Sequence, residues 1–373
     1  MVFLGLIAIP VVGSLLLLFV AHHRLSLLEF LAMLAVQCLI AVACMAALYT
    51  GATGDYEVLN GTITSKESVR TSCSHSYSCR CYNRCSGSGK NRSCRRSCST
   101  CYEHPYDMSW YVRTNVPGNQ SFSIERVNRQ GTTEPPRWSR VVVGEPAAFQ
   151  NSYTNYIKAA PDSLFRATSQ VKKYEKVLPV YPIRTYDYHH LDRMVLVNGA
   201  TLSDLPAWNK KLEETNGLLG PQKQVNVVIV VVKGLPHEFF NALSQHWLGS
   251  KKNDVIVVLG TNDGTTFSWV DVMSWTDHRL MNIKLRNDLL ELNAFDLLKI
   301  HDLTRTHVSA YFVRKPMKDF EYLKASITPT VPGFVLCCIL GIFAAIGMGI
   351  FFVKEDPFRE LEEQWGLRKR DGR

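Results

Sequence analysis

The residues best able to do chemistry are crowded into one stretch of the chain. Seven cysteines (Cys73, Cys79, Cys81, Cys85, Cys94, Cys98 and Cys101) share it with His75, and His104 follows just after. Cysteines this dense are tied to each other or to a metal. Both chemistries fit the spacing. Six of the thiols can pair as disulfides in several connectivities, which leaves a seventh thiol over. Alternatively Cys94, Cys98, Cys101 and His104 offer zinc four soft ligands at spacings that a tetrahedral site accepts. A redox role is disfavoured, because Cys98-Ser-Thr-Cys101 lacks the helix start that lowers a thiol pKa. The stretch is also basic: Lys66, Arg70, Arg80, Arg84, Lys90, Arg92, Arg95 and Arg96 stand against Glu67 alone. Such a lobe attracts an anionic partner or surface.

The choice between bridges and zinc depends on the side of a membrane the lobe occupies. Residues 331–353 form an uncharged apolar run, long enough to cross the ~30 Å hydrocarbon layer. Residues 27–49 are nearly as apolar, with Glu29 at the edge and Gln37 inside, and residues 2–21 form a third run. Three membrane helices are expected. The turn His22-His23-Arg24 and the tail 354–373, with Lys354, Arg359, Arg368, Lys369, Arg370 and Arg373, carry the basic residues that mark the cytoplasmic side. Residues ~50–328 then lie in the periplasm or outside the cell, where disulfides persist. That placement excludes nucleic acid as a partner. A transporter is disfavoured too, because Gln37 is a lone weak polar group where an ion path needs several.

Two unlike halves should hold the cysteine lobe in place. Residues 50–160 read as a small β domain with the lobe 73–104 inserted. Strands are expected over 56–59 and 62–64 around an Asn60-Gly61 turn, and over 110–112, 121–124 and 138–143. Residues 161–328 change period. A helix opens at Ser203-Asp204-Leu205-Pro206 and is expected to end near Gly217. The β-branched runs 225–232 and 255–259 have the composition of strands buried on both faces. Helices are expected over 236–247 and 284–299, with an antiparallel strand over 266–273. The fold class is a membrane protein with an α+β ectodomain: a β domain with a Cys-rich insert, then an αβα sandwich, and three transmembrane helices.

Residues 192–302 resemble the TPM domain family, which includes a thylakoid-lumen acid phosphatase, a photosystem II repair protein and a membrane modulator of acetylcholine receptors. The resemblance rests on Leu202-Ser203, the strand 227–232, the segment from Phe240 through Trp247 to Asp254, and the strand 255–259 with its Asn-Asp-Gly turn. It departs from the family at Asn253-Asp254-Val255, which lacks the usual glycine, and at Met273-Ser274-Trp275, which replaces a glycine-rich segment. The resemblance implies a divalent cation held by acidic residues at strand ends. Asp254 is the carried-over position, with Asp263 and Asp271 as neighbours and Ca²⁺ as the fitting ion. Asn-Asp and Asp-Gly are also ordinary turn chemistry.

No nucleophile elbow, zinc-protease motif, phosphate-binding glycine loop or dinucleotide fingerprint occurs. His189-His190 with Asp187 and Asp192 is a weaker metal-ligand candidate. The whole architecture resembles bacterial or tailed-phage envelope proteins. Two functions follow as expectations. One is a non-enzymatic binding or modulatory component that meets an envelope or cell-surface protein or an anionic surface. The other is a cation-dependent phosphatase acting on phosphate monoesters.

Overall fold

The computed structural model describes residues 26–87, 89, 92–161, 163, 169–182 and 193–365. The apolar run 2–21, the His189-His190 cluster and the tail end 366–373 lie outside the described residues. In chain order the first elements are α1 (Leu27–Thr53), β1 (Gly54–Thr71), β2 (Ser76–Ser86), β3 (Ser93–Tyr102), β4 (Asp107–Thr114), β5 (Ser121–Ile124), β6 (Pro146–Thr154) and β7 (Met194–Val197). There follow α2 (Leu205–Lys223), β8 (Asn226–Lys233), α3 (Glu238–His246), β9 (Asp254–Thr261), β10 (Trp269–Ser274), α4 (Arg279–Leu292), α5 (Leu297–Tyr311) and α6 (Val331–Glu355).

The chain divides into two compact units. The first comprises residues 1–56, 152–168 and 316–373. Its α1 starts on a reciprocal cap, in which the Ser26 hydroxyl accepts from the Glu29 N–H and the Glu29 carboxylate accepts from the Ser26 N–H. Helices α1 and α6 are each long and apolar enough to cross a membrane. They pack antiparallel: Leu48 lies beside Gly333, Gln37 beside Gly341, and Met33 in one cluster with Phe352. Gly341, Ala345 and Gly349 form a buried stripe of small residues on α6, which permits close helix approach. The polar Gln37 is satisfied there by donating to the Gly341 carbonyl at 3.1 Å.

The second unit, residues 57–151 and 169–315, holds three sheets. The β5-β4-β1-β6 sheet buries Leu59, Ile63, Trp110, Val112 and Ile124. β1 runs through Asn60-Gly61 without turning. Gly61 is needed there for close approach, since an added Cβ would meet Val116 and Asn115 at under 3.0 Å. The strand expected over 138–143 is instead a short helix, Pro136–Arg140, opened by its proline at the first turn. Between β1 and β4 the chain leaves the sheet as the separate two-stranded β2–β3 hairpin.

The third sheet has the order β10-β9-β8-β7, with β7, β8 and β9 parallel and β10 antiparallel. Alternate residues of β8 and β9 face opposite apolar layers. Val227, Ile229, Val231, Val255 and Val257 pack with α2, α4 and α5, while Val228, Val230, Val232, Ile256 and Val258 pack with α3 and Tyr174. Helix α2 does not stop at Gly217 but continues to Lys223, because the backbone of β1 passes over Gly217 and Gly220. The helix expected over 284–299 is two helices, broken where Asn293 takes the left-handed conformation.

Candidate functional site

The β2–β3 hairpin has no core of its own. Its residues are exposed or half-exposed along both strands, and an isolated two-stranded hairpin is marginal in water. Three cross-strand cysteine pairs at disulfide distance compensate: Cys79–Cys101, Cys81–Cys98 and Cys85–Cys94. A bridge closing a loop of about 15 residues is worth about 3 kcal/mol, chiefly by restricting the unfolded chain. These bridges are nested, so their contributions do not simply add. The zinc set Cys94, Cys98, Cys101 and His104 is overturned, because three of its four ligands are taken by the bridges. Only His104 keeps its donor atoms.

The hairpin concentrates positive charge. Arg84 stands directly opposite Arg95 in the register, and Arg96 lies opposite Asn83. Like charges opposed across a ladder are destabilising, so the bridges hold together what repulsion would part. Strand alternation places Tyr82 on the same face as Arg84 and Arg95. Tyr77, Tyr82 and Tyr102 are 56%, 58% and 57% exposed.

At the root of the hairpin the seventh thiol has a defined place. Cys73 is buried and unbridged. Its Sγ lies 2.8 Å from Nδ1 of His104 and 3.3 Å from the His75 carbonyl oxygen. The side-chain ligand atoms of Cys73, His75 and His104 all fall within 4.8 Å of one another. Asp107, the first residue of β4, is fully buried beneath them. Its Oδ2 accepts from the Ser74 N–H at 2.7 Å, the Ser74 hydroxyl at 2.8 Å and Arg126 Nη1 at 2.9 Å. The Ser74 backbone N–H, then its hydroxyl and Arg126, hold the carboxyl down to about 2 against the opposing effect of burial. The other oxygen, Oδ1, accepts no hydrogen bond among the described residues and lies 3.5 Å from His104 Nδ1. The odd cysteine count required one thiol left over but did not say which. The partnership of Cys73 with His75 and Asp107 was hidden, because it forms only when β2–β3 closes and brings residue 104 back to residue 73.

The three acidic positions of the αβα sheet do not form one ligand set. Asp254 opens β9 and is fully buried. It accepts from Asn226 Nδ2, the Lys251 N–H and the Tyr181 hydroxyl, each at 2.8 Å. Burial pushes its carboxyl up to about 6, with those hydrogen bonds opposing the rise. Asp263 lies beyond the other end of β9, about 25 Å along the strand at ~3.3 Å per residue. It accepts from the N–H groups of Thr265 and Thr266 at 2.8 and 2.9 Å, which hold its carboxyl well below the usual range. Asp271 sits on β10 opposite Val258 and contacts His237 Nε2 at 2.9 Å. Ligands of open α/β sheets gather at the carboxyl ends of the parallel strands. Asp254 lies at the amino end.

That amino end is held against β1. Asn253 Nδ2 donates to the Val58 carbonyl at 2.7 Å, and Asn60 Nδ2 donates to the Val225 carbonyl at 2.9 Å. Glu57, fully buried on β1, receives Asn151, Lys252 and Arg314. Arg193 is also fully buried, and the loss of water draws its guanidinium down to about 10. The polar groups of this seam hold two sheets together. Comparison with protein-family models, curated proteins and solved structures found no match to the chain.

Proposed function

We propose that the chain is a membrane-anchored binding protein that uses the stapled β2–β3 hairpin to dock onto an acidic surface of another protein outside the cytoplasm. The observation that carries this reading is the direct opposition of Arg84 and Arg95 on the face that also carries the exposed Tyr82, with Arg96 adding its charge on the other face. Arginine and tyrosine are the residues that most often anchor protein interfaces. A hairpin built to enter lipid needs a continuous apolar face. This one alternates its arginines and tyrosines with Ser76, Ser78, Ser86, Ser93, Ser97, Ser99 and Thr100.

Anchorage rests on α1 and α6, and the outward orientation rests on the basic residues of segments 22–24 and 354–373. The persistence of three bridges fits the same side of the membrane. The TPM-like reading of residues 192–302 belongs to this proposal as the scaffold behind the hairpin. Its supports are the parallel β7, β8 and β9 and the antiparallel β10.

The test is a titration of the full-length protein, in nanodiscs of zwitterionic lipid, with fluorescent polyglutamate. Binding should weaken as salt rises and fall roughly tenfold or more in the triple variant Arg84→Glu, Arg95→Glu, Arg96→Glu. Equal binding by that variant sinks the reading. So does a preference for phosphatidylglycerol vesicles over polyglutamate, which would make lipid the target.

A further inference from the structure

We infer that Cys73, His75, His104 and Asp107 form a structural zinc site at the root of the hairpin. The donor set is a thiolate, two imidazoles and a carboxylate, the mixture that zinc accepts in tetrahedral coordination. Zinc–ligand bonds of about 2.0–2.3 Å put neighbouring ligand atoms roughly 3.3–3.7 Å apart. The 3.5 Å from His104 Nδ1 to Asp107 Oδ1 falls in that range, and the 2.8 Å from Cys73 Sγ to His104 Nδ1 has to open by about half an ångström to reach it. Cys73, His75 and His104 hold their ligand atoms within 4.8 Å of one another, and Asp107 stands just outside that trio, reaching it through His104 Nδ1, so it closes in as the fourth ligand when the ion binds.

Two observations separate a metal site from an incidental cluster. Asp107 is fully buried, yet Oδ1 accepts no hydrogen bond among the described residues and is aimed at the histidine. A buried carboxylate oxygen left in this state is costly unless a cation meets it. The surrounding contacts are also those of a supporting shell. Ser74 and Arg126 fix Oδ2, and the Ser74 hydroxyl lies 3.2 Å from His75 Nδ1, which restrains the second imidazole. The site further explains why one of seven clustered thiols stays unpaired. A zinc-bound thiolate is withheld from the exchange that closes the other six.

A cysteine nucleophile is the competing use of a thiol beside a histidine. Such a site needs the base to meet the thiol through one ring nitrogen and its orienting acid through the other. Here Cys73 Sγ and Asp107 Oδ1 both approach Nδ1 of His104. Two groups converging on one nitrogen suit a shared metal and not a relay.

The test uses the full chain purified in detergent without chelator. Metal analysis should find one zinc per chain, and replacement by Co²⁺ should give the intense visible bands of tetrahedral cobalt with a thiolate-to-cobalt charge-transfer band. Cys73→Ser should abolish that charge-transfer band, and both Cys73→Ser and His75→Ala should lower zinc affinity by roughly 100-fold. Ser74→Ala should lower it about tenfold, as supporting residues do. Intact mass should still show three bridges in every variant, so a loss of zinc is separated from a failure to fold. The inference is overturned if the wild-type chain, with its bridges intact, takes up neither ion. It is equally overturned if Cys73→Ser binds zinc as tightly as the wild type, or if the cobalt form lacks the charge-transfer band.

Discussion

At the scale of the residue, the same side-chain type plays opposite parts according to what surrounds it. Asp107 is buried among donors that favour its charge. Asp254 is buried where lost solvation outweighs its three hydrogen bonds, so its carboxyl is raised to about 6 from an ordinary value near 3.8. A carboxyl raised in the folded state stabilises the fold below the unfolded pKa, and that contribution is lost as pH climbs through the folded pKa. Asp254 therefore makes the protein less stable from pH ~4 to pH ~6, by an amount on the order of 2–3 kcal/mol. Thermal unfolding of the full chain in detergent should show this fall, and Asp254→Asn should flatten it. Asn also turns an amide N–H₂ toward groups that donate, so the variant should lose about 1–3 kcal/mol at pH 4. Parallel pH profiles for the two proteins would remove Asp254 from this account. The sequence made Asp254 look like a ligand because an Asn-Asp pair before an aliphatic strand reads the same in either role. Only its place at the amino end of β9, sealed under β1, separates them.

At the scale of the element, long periodic segments were legible and glycines were not. The β-branched runs of β8 and β9 announced strands buried on two faces, and the hairpin insert was visible in its cysteines and serines. Asn60-Gly61 read as a turn and Gly217 as a helix end, because glycine serves both left-handed corners and close approaches. The second use is dictated by a partner far away in sequence. In α2 that partner is β1: a Cβ added at Gly220 would stand 2.1 Å from the Asn60 carbonyl oxygen. Gly220→Ala should therefore destabilise the full chain by about 3 kcal/mol or more, although alanine is the better helix former. Gly234→Ala is a useful contrast. Nothing crowds that position, and the cost there comes from its positive φ of 65°. Denaturant titration should rank Gly220→Ala as the more damaging of the two. The reverse order would mean that α2 can shift away from β1.

At the scale of the whole molecule, the proposed topology makes a prediction that needs no knowledge of the partner. Val180 is 85% exposed and can carry a reporter cysteine. In intact cells Val180→Cys should react with a membrane-impermeant maleimide, whereas Arg370→Cys should react only after the membrane is opened. The unmodified chain supplies the background from its native thiols. The opposite pattern would reverse the orientation and remove the reason for bridges to persist. The αβα layering was readable because burial on both faces of a sheet leaves a compositional mark. The zinc cluster was only half readable, since its members come from both roots of a hairpin and meet through folding.

The nested order of the three bridges has one more consequence. Arg92 lies at the hairpin tip, inside the innermost loop closed by Cys85 and Cys94. A trypsin-like protease that cuts there severs the backbone without releasing a fragment, because all three bridges still join the two strands. The nick leaves a new carboxylate and a new amino group beside the opposed arginines. The arm can thus be clipped, remain attached and persist in a second covalent form. The two forms share a migration on non-reducing gels and separate once the three bridges are reduced.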